Sequence, residues 1–135
     1  MTLTEEEESL PRPRGTLSLQ TIAMPRDANP HGDIFGGWLV SQMDLAAGVA
    51  ARKRARGRAT TVAIDAMVFL RAVSVGDLVA FYTDIQSIGR SSMKILVEVW
   101  GVSDQLETRT KLTEGLFTFV AIDESGRTRA LPPLN

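Results

Sequence analysis

Residues 29–51 of this 135-residue chain have the sequence NPHGDIFGGWLVSQMDLAAGVAA. Three glycines within six residues permit close backbone approach. The apolar run after them predicts a helix from about Gly37 to Arg54, with Gly57 as the expected stop. Because the first N–H groups of a helix lack intrahelical partners and lie at its positive dipole end, the loop before this helix suits a carbonyl or an anion.

One carboxylate, Asp44, interrupts this apolar run about two turns inside the predicted helix. Its neighbours on the same helical face are small or apolar, and none is cationic: Gly37, Val40, Ala47, Gly48 and Ala51. Such a carboxylate either reaches a partner on another element or is held poorly solvated, and poor solvation would raise its basicity. The sequence therefore marks Asp44 as a candidate functional group.

Alternation of period two predicts strands on both sides of the helix. The first begins at Thr16, and the others cover residues 62–70, 78–88, 92–102 and 108–122, with a hairpin at residues 88–91. Both faces of segment 62–70 are apolar, which indicates an interior strand, and short connections indicate antiparallel neighbours. The predicted fold is α+β, with one long central helix wrapped by an antiparallel sheet of about five strands.

Composition excludes several classes of protein. The chain is 44% hydrophobic and 23% charged, which is typical of one globular domain. It has no cysteine, which excludes disulfides, thiolate metal sites and a cysteine nucleophile. A net charge of −1 gives no overall attraction to nucleic acid or to an anionic membrane, and no segment has the roughly 18 apolar residues of a membrane span. We predict a cytoplasmic protein with no metal site.

The first 15 residues predict an unstructured lead, because the acidic block Glu5–Glu8 and the prolines after it offer little apolar surface. Residues 16–135 are then expected to form the single domain. One helix cannot cover both faces of so apolar a sheet, so we also predict a homo-oligomer.

The sequence resembles the hotdog-fold acyl-CoA thioesterases, and more closely their YciA-like acyl-CoA hydrolase branch. The matching motifs occur in order between about Leu19 and Leu131: Asn29, Gly32–Gly37, Met43–Asp44, Phe69, Val75–Asp77, Gly89–Ser92 and Phe117–Ala121. The resemblance implies a hotdog fold and dimers with paired active sites at the subunit interface. It also implies higher assembly, commonly a hexamer made of three such dimers.

The resemblance also implies roles for single residues. Asp44 would be the catalytic carboxylate, and Asn29 its partner from the other subunit. The turn formed by Gly89, Arg90, Ser91 and Ser92 would contact the nucleotide and phosphates of CoA. Thioester hydrolysis needs an activated water or a carboxylate nucleophile and donors for the developing oxyanion. The amides of Gly36 and Gly37 suit the donor role, and Phe35 suits the acyl path. The reaction would use no cofactor, since CoA is part of the substrate and product.

Other interpretations stay open for these residues. Asp44 alone would suit a structural ion pair, and Asn29 a turn residue before Pro30. Whether Asp44 acts as general base or as nucleophile is not decided by the sequence. The sole histidine, His31, lacks the G-x-S-x-G motif that would support a Ser-His-Asp triad. The basic run 52–58 has three interpretations. The favoured one is that its cations stabilise a helix C-terminus, the next is a contact with a CoA phosphate, and the least favoured is nucleic-acid binding.

Two other functions compete with hydrolysis. The first is a non-catalytic hotdog module that binds acyl-CoA as a sensor, which would usually carry a further regulatory domain. The second is a hotdog hydratase or dehydratase, which would resemble enzymes of that lineage that use a histidine together with a carboxylate. Release of free thiol from acyl-CoA separates hydrolysis from both.

Overall fold

The computed structural model describes residues 12–102 and 109–134. These residues form one long helix, five strands and a short 3-10 turn at Pro25–Asp27. In chain order the main elements are β1 (Thr16–Ile22), α1 (Gly36–Ala55), β2 (Ala59–Phe69), β3 (Leu78–Ile88), β4 (Ser92–Val102) and β5 (Thr110–Ala121). Strands β3 and β4 and the hairpin between them have the predicted bounds, whereas β2 begins at Ala59 rather than Val62.

Helix α1 covers the predicted helix and adds Gly36 and Ala55 at its ends. It buries one stripe of mostly small side chains against the sheet: Leu39, Met43, Ala46, Ala47, Ala51 and Ala55. Leu45 and Val49 lie outside this stripe and are exposed, so one chain does not enclose the helix on all sides. The left-handed residue that ends the helix is Arg56 (φ 51°), one position before the expected glycine.

The strands form a single antiparallel sheet in the order β1-β3-β4-β5-β2, and α1 packs against all five. Five flat strands would span about 19 Å, nearly twice the roughly 10 Å width of a helix, so the sheet must curve around α1. The interior between them is filled by large buried side chains, among them Phe81, Met93, Ile95 and Phe117. The predicted architecture of a helix wrapped by five antiparallel strands is therefore confirmed.

The prediction that β2 is an interior strand is wrong. Among the described strands, β2 pairs with β5 alone and forms an edge of the sheet, and its chain neighbour β3 lies beside β1 and β4. The apolar side chains that suggested an interior position are exposed in one chain, with Val62 at 55% and Phe69 at 53%. An apolar, exposed edge strand is a surface that another chain can cover.

The segment before β1 crosses the sheet face opposite the helix. Glu98 lies between Val97 and Val99, which face the core, and its buried carboxylate accepts hydrogen bonds from the Arg14 N–H (3.3 Å) and Trp100 Nε1 (3.0 Å).

Most of the predicted lead, residues 1–11, lies outside the described residues, so its disorder stays a prediction. No helix in the described part of the chain is long and apolar enough to cross a membrane.

Candidate functional site

Asp44 lies half-buried in a groove of about 420 Å³ between α1 and the two edge strands. The groove is lined by Leu19 of β1, by Ala59, Thr60 and Thr61 of β2, by Phe119 of β5, and by Leu45, Gly48, Val49 and Arg52 of α1. Because the sheet curves around the helix, β1 and β2 come to the same groove from opposite sides. Asp44 thus faces a mostly apolar space that is open to a ligand.

A hydroxyl on β2 holds the Asp44 carboxylate in place. Thr61 Oγ1 donates a hydrogen bond of 2.5 Å to Asp44 Oδ1, and Oδ2 has no hydrogen-bond partner among the described residues. Of the two predicted environments for Asp44, the structure therefore shows the one with a partner on another element. One carboxylate oxygen is anchored, and the other is available to a water molecule or a carbonyl carbon.

Thr61 was not predicted from the sequence as a site residue. The available signal was the strand alternation, which puts Thr61 in the same row as Ala59 and Ala63, and all three are half-buried. A single hydroxyl in such a row facing a helical carboxylate is a candidate partner. Its pairing with Asp44 depends on how the sheet curves, which alternation alone does not give.

Asn29 occupies a tight loop and does not line the Asp44 groove of its own chain. Its Oδ1 accepts hydrogen bonds from the N–H groups of His31 (2.9 Å) and Asp33 (3.1 Å). Gly32 completes the turn with φ +90°, a conformation that favours glycine. The side chain therefore acts as a turn former within one chain, and its amide NH₂ has no partner among the described residues. A meeting with Asp44 across a subunit interface stays a prediction.

The start of α1 presents two unpaired amides. Gly36 and Gly37 are exposed, and their N–H groups donate to no residue in the described ranges. Phe35, which precedes the helix, is 51% exposed and contributes no side-chain cap. Its N–H donates to Asp27 O (3.0 Å), which ties the helix start to the loop that carries Asn29. Asn29, Phe35 and the two glycines therefore form one unit, called here the glycine loop (residues 29–37).

Distance along the helix separates the glycine loop from Asp44. Gly37 and Asp44 are seven residues apart in α1, which corresponds to about 10 Å along the axis. One thioester carbonyl would have to bridge this distance to contact both groups of the same chain. A glycine loop from another chain has no such restriction.

The hairpin turn at Gly89–Ser92 connects β3 to β4, and Gly89 and Arg90 in it are exposed to solvent. Its backbone is fixed by three 2.8 Å hydrogen bonds, from Gly89 N–H to Ser92 O, from Ala121 N–H to Ser91 O and from Leu131 N–H to Arg90 O. The Arg90 side chain is exposed and has no partner among the described residues. Register places the turn close to the candidate site, since Thr61, Phe119 and Met93 pair across β2, β5 and β4, about 10 Å in all.

The cationic side chains of the basic run 52–58 make different contacts from one another. Arg58 Nη1 donates to Glu124 O (3.0 Å), and Arg54 Nη1 donates to Pro132 O (2.6 Å). The last-turn carbonyl of Ala55 is bound by Arg129 rather than by this run. Arg52 lines the Asp44 groove. Within residues 12–102 and 109–134, no group of three or more His, Cys, Asp or Glu side chains is placed to hold a metal ion.

Comparisons with known proteins agree on one family. Residues 31–108 match the thioesterase superfamily. The acyl-CoA thioester hydrolase YciA of Escherichia coli (strain K12) is 48% identical over 123 residues, which cover 89% of this chain and 93% of that protein.

Two solved structures have a similar fold. A hexameric broad specificity acyl-coenzyme A thioesterase, solved as its Asp44Ala mutant in that protein's own numbering, has a TM-score of 0.87 and 46% identity over 90% of each chain. A hexameric hotdog fold thioesterase of Campylobacter jejuni has a TM-score of 0.83 and 35% identity, over 90% of this chain and 93% of that one.

Proposed function

The chain belongs to the thioesterase superfamily and has the hotdog fold, and on that premise we propose that it hydrolyses acyl-CoA to a free carboxylic acid and CoA. The observation that carries the proposal is the Asp44 carboxylate, anchored through one oxygen by Thr61 and open to the groove through the other. The relatives named as acyl-CoA thioester hydrolases support the same substrate class.

Asp44 can promote the reaction in two ways. As a general base, it takes a proton from water while the water oxygen bonds to the thioester carbonyl carbon. The carbon–sulfur bond then breaks, and the CoA thiolate leaves and is protonated. As a nucleophile, the carboxylate itself attacks the carbonyl, expels the thiolate and forms an anhydride that water hydrolyses. Both routes need the free oxygen of Asp44, and both need donors for the oxyanion.

The proposed donors come from a second subunit. The glycine loop carries the Asn29 amide and the free amides of Gly36 and Gly37 as one unit, and the two glycine amides are about two helical turns from their own Asp44. A partner subunit that supplies Asn29 also supplies the two amides. Preorganised donors of this kind stabilise the negative charge of the transition state.

The exposed edge of β2 is the surface through which we propose that two chains meet. On one side of β2 the backbone N–H and C=O groups have no strand partner in the part of the chain that the structure describes, and its apolar side chains are exposed to solvent. Joining two sheets at this edge would cover both features. The solved relatives described as hexameric support further assembly into a hexamer.

We propose that different surfaces of the protein bind the CoA part and the acyl part of the substrate. Arg90 in the turn Gly89–Ser92 offers a planar cation suited to a phosphate, with the hydroxyls of Ser91 and Ser92 beside it. The apolar wall of the Asp44 groove and Phe35 would receive the acyl chain. Under this proposal no metal or bound cofactor takes part, and a cytoplasmic location stays a prediction.

The test is thiol release from acyl-CoA substrates between acetyl and palmitoyl chain length. Asp44→Ala should keep the folded oligomer and lose most turnover, and Glu124→Gln serves as a control because that acid lies in an exposed turn. Unchanged turnover in Asp44→Ala would remove Asp44 from the mechanism. Tight acyl-CoA binding without thiol release by the unmodified chain would instead favour the non-catalytic module.

A further inference from the structure

A second groove, of about 490 Å³, lies between the C-terminal turns of α1, the paired strands β1 and β3, and the tail after β5. We call it the tail groove. Its walls include Lys53, Arg54 and Arg56 together with Ile85 and Leu134. We propose that the tail groove binds an anionic amphiphile, namely a carboxylate head group on an aliphatic chain.

Charge in the tail groove favours an anion. Three cations line it against one acid, Asp84, whose Oδ2 already accepts a hydrogen bond from Gln86 Nε2 (2.8 Å). Lys53 and Arg56 are exposed and have neither a hydrogen bond nor an ion pair with any described side chain. Like charges collected in one concave surface repel each other and attract a counter-ion.

Arg54 gives the groove a fixed donor. Its Nη1 is held by Pro132 O at 2.6 Å, which positions the guanidinium between helix and tail. Its Nε is buried and has no hydrogen-bond partner within the described ranges. The planar guanidinium is thus held at the groove wall, where its charge adds to that of Lys53 and Arg56 and favours a carboxylate.

The remaining walls favour an aliphatic chain over a nucleotide. Val49, Ala50, Ile85 and Leu134 supply apolar surface, and none of the described residues that line the groove is aromatic and able to stack on a base. The ligand class matches the free acid released by the proposed hydrolysis. A feedback role for the tail groove would rest on that proposed function, whereas binding itself does not.

The tail groove differs from the Asp44 groove in its chemistry. The two share Val49 on α1, but none of the three cations lines the Asp44 groove, and Asp44 does not line the tail groove. Of the two grooves, variants of Lys53 and Arg56 therefore alter the lining of the tail groove only.

The experiment is isothermal titration of the full chain with octanoate, octan-1-ol and acetate. We expect saturable octanoate binding. Octan-1-ol and acetate should bind with dissociation constants at least about tenfold higher, because octan-1-ol lacks the charge and acetate lacks the aliphatic chain. The double variant Lys53→Gln/Arg56→Gln should weaken octanoate binding by about tenfold or more. Arg127→Gln, which removes an exposed cation that does not line the tail groove, should leave it unchanged. Circular dichroism checks folding, and the two single variants replace the double variant if it unfolds.

Several results would overturn the proposal: no saturable octanoate binding, equal binding of octanol, or full affinity in the folded cation variants. Loss of octanoate binding in Asp44→Ala with retention in Lys53→Gln/Arg56→Gln would also overturn it, because the ligand would then occupy the Asp44 groove. Failure of thioester hydrolysis with octanoate binding intact would overturn only the proposed function.

Discussion

Replacing Thr61 by valine isolates the hydrogen bond that holds Asp44. Valine keeps the shape and the strand preference of threonine and removes only the hydroxyl that donates to Asp44 Oδ1 at 2.5 Å. A hydrogen bond to a charged group contributes about 1.5–3 kcal/mol. If its loss is felt fully in the transition state, kcat for acyl-CoA hydrolysis falls about 10- to 100-fold. Steady-state thiol release across substrate concentrations separates this fall in kcat from a change in KM.

Thr61→Ser is the matched variant, because it keeps a hydroxyl within reach of Asp44. It should retain most of the activity that Thr61→Val loses, while both variants keep the fold by circular dichroism. Equal kcat in Thr61→Val and the unmodified chain would refute the positioning role. Equal impairment in the serine and valine variants would refute it too, since the hydroxyl would then not be the deciding group.

Three further predictions concern other parts of the molecule. Arg90→Gln should raise KM about three- to tenfold for an acyl-CoA but not for a thioester that lacks the nucleotide; equal KM changes for both would argue against a phosphate contact. Ile64→Lys puts a charge on the exposed edge strand and should give a smaller species in light scattering, whereas an unchanged mass would exclude β2 from the interface. Hydrogen bonds from the Ser125 side chain and the Arg127 amide lower the pKa of Asp123 below its ordinary 3.8. Asp123→Asn should therefore lower stability to urea near neutral pH, and this difference should shrink as the pH falls through the lowered pKa; a pH-independent difference would contradict the assignment.

Local patterns were enough to predict most of the fold. Strand alternation gave the bounds of β3 and β4, and the apolar run around Asp44 gave α1, because each depends on residues close together in the chain. The position of β2 was not predictable in this way. Apolar residues on both faces indicate only that both faces are covered, and they do not say whether the cover is the same chain or a second copy.

The candidate site was predictable in part. Asp44 and the amides of Gly36 and Gly37 were marked as candidates by their places in the helix and the loop before it, whereas the Arg90 turn was marked only by the family resemblance. Thr61 was missed because its contact with Asp44 joins residues 17 positions apart through the curvature of the sheet. Asn29 forms a turn in one chain, and its proposed catalytic contact depends on a second chain.

Because the exposed edge of β2 is the proposed contact between two chains, catalytic activity should depend on protein concentration. If each catalytic centre combines Asp44 of one chain with the glycine loop of another, then an isolated chain holds only half of a centre. Specific activity per chain should then decline when the protein is diluted below the dissociation constant of the dimer. Thermal unfolding should shift to lower temperature over the same dilution range, because folding and association are linked equilibria.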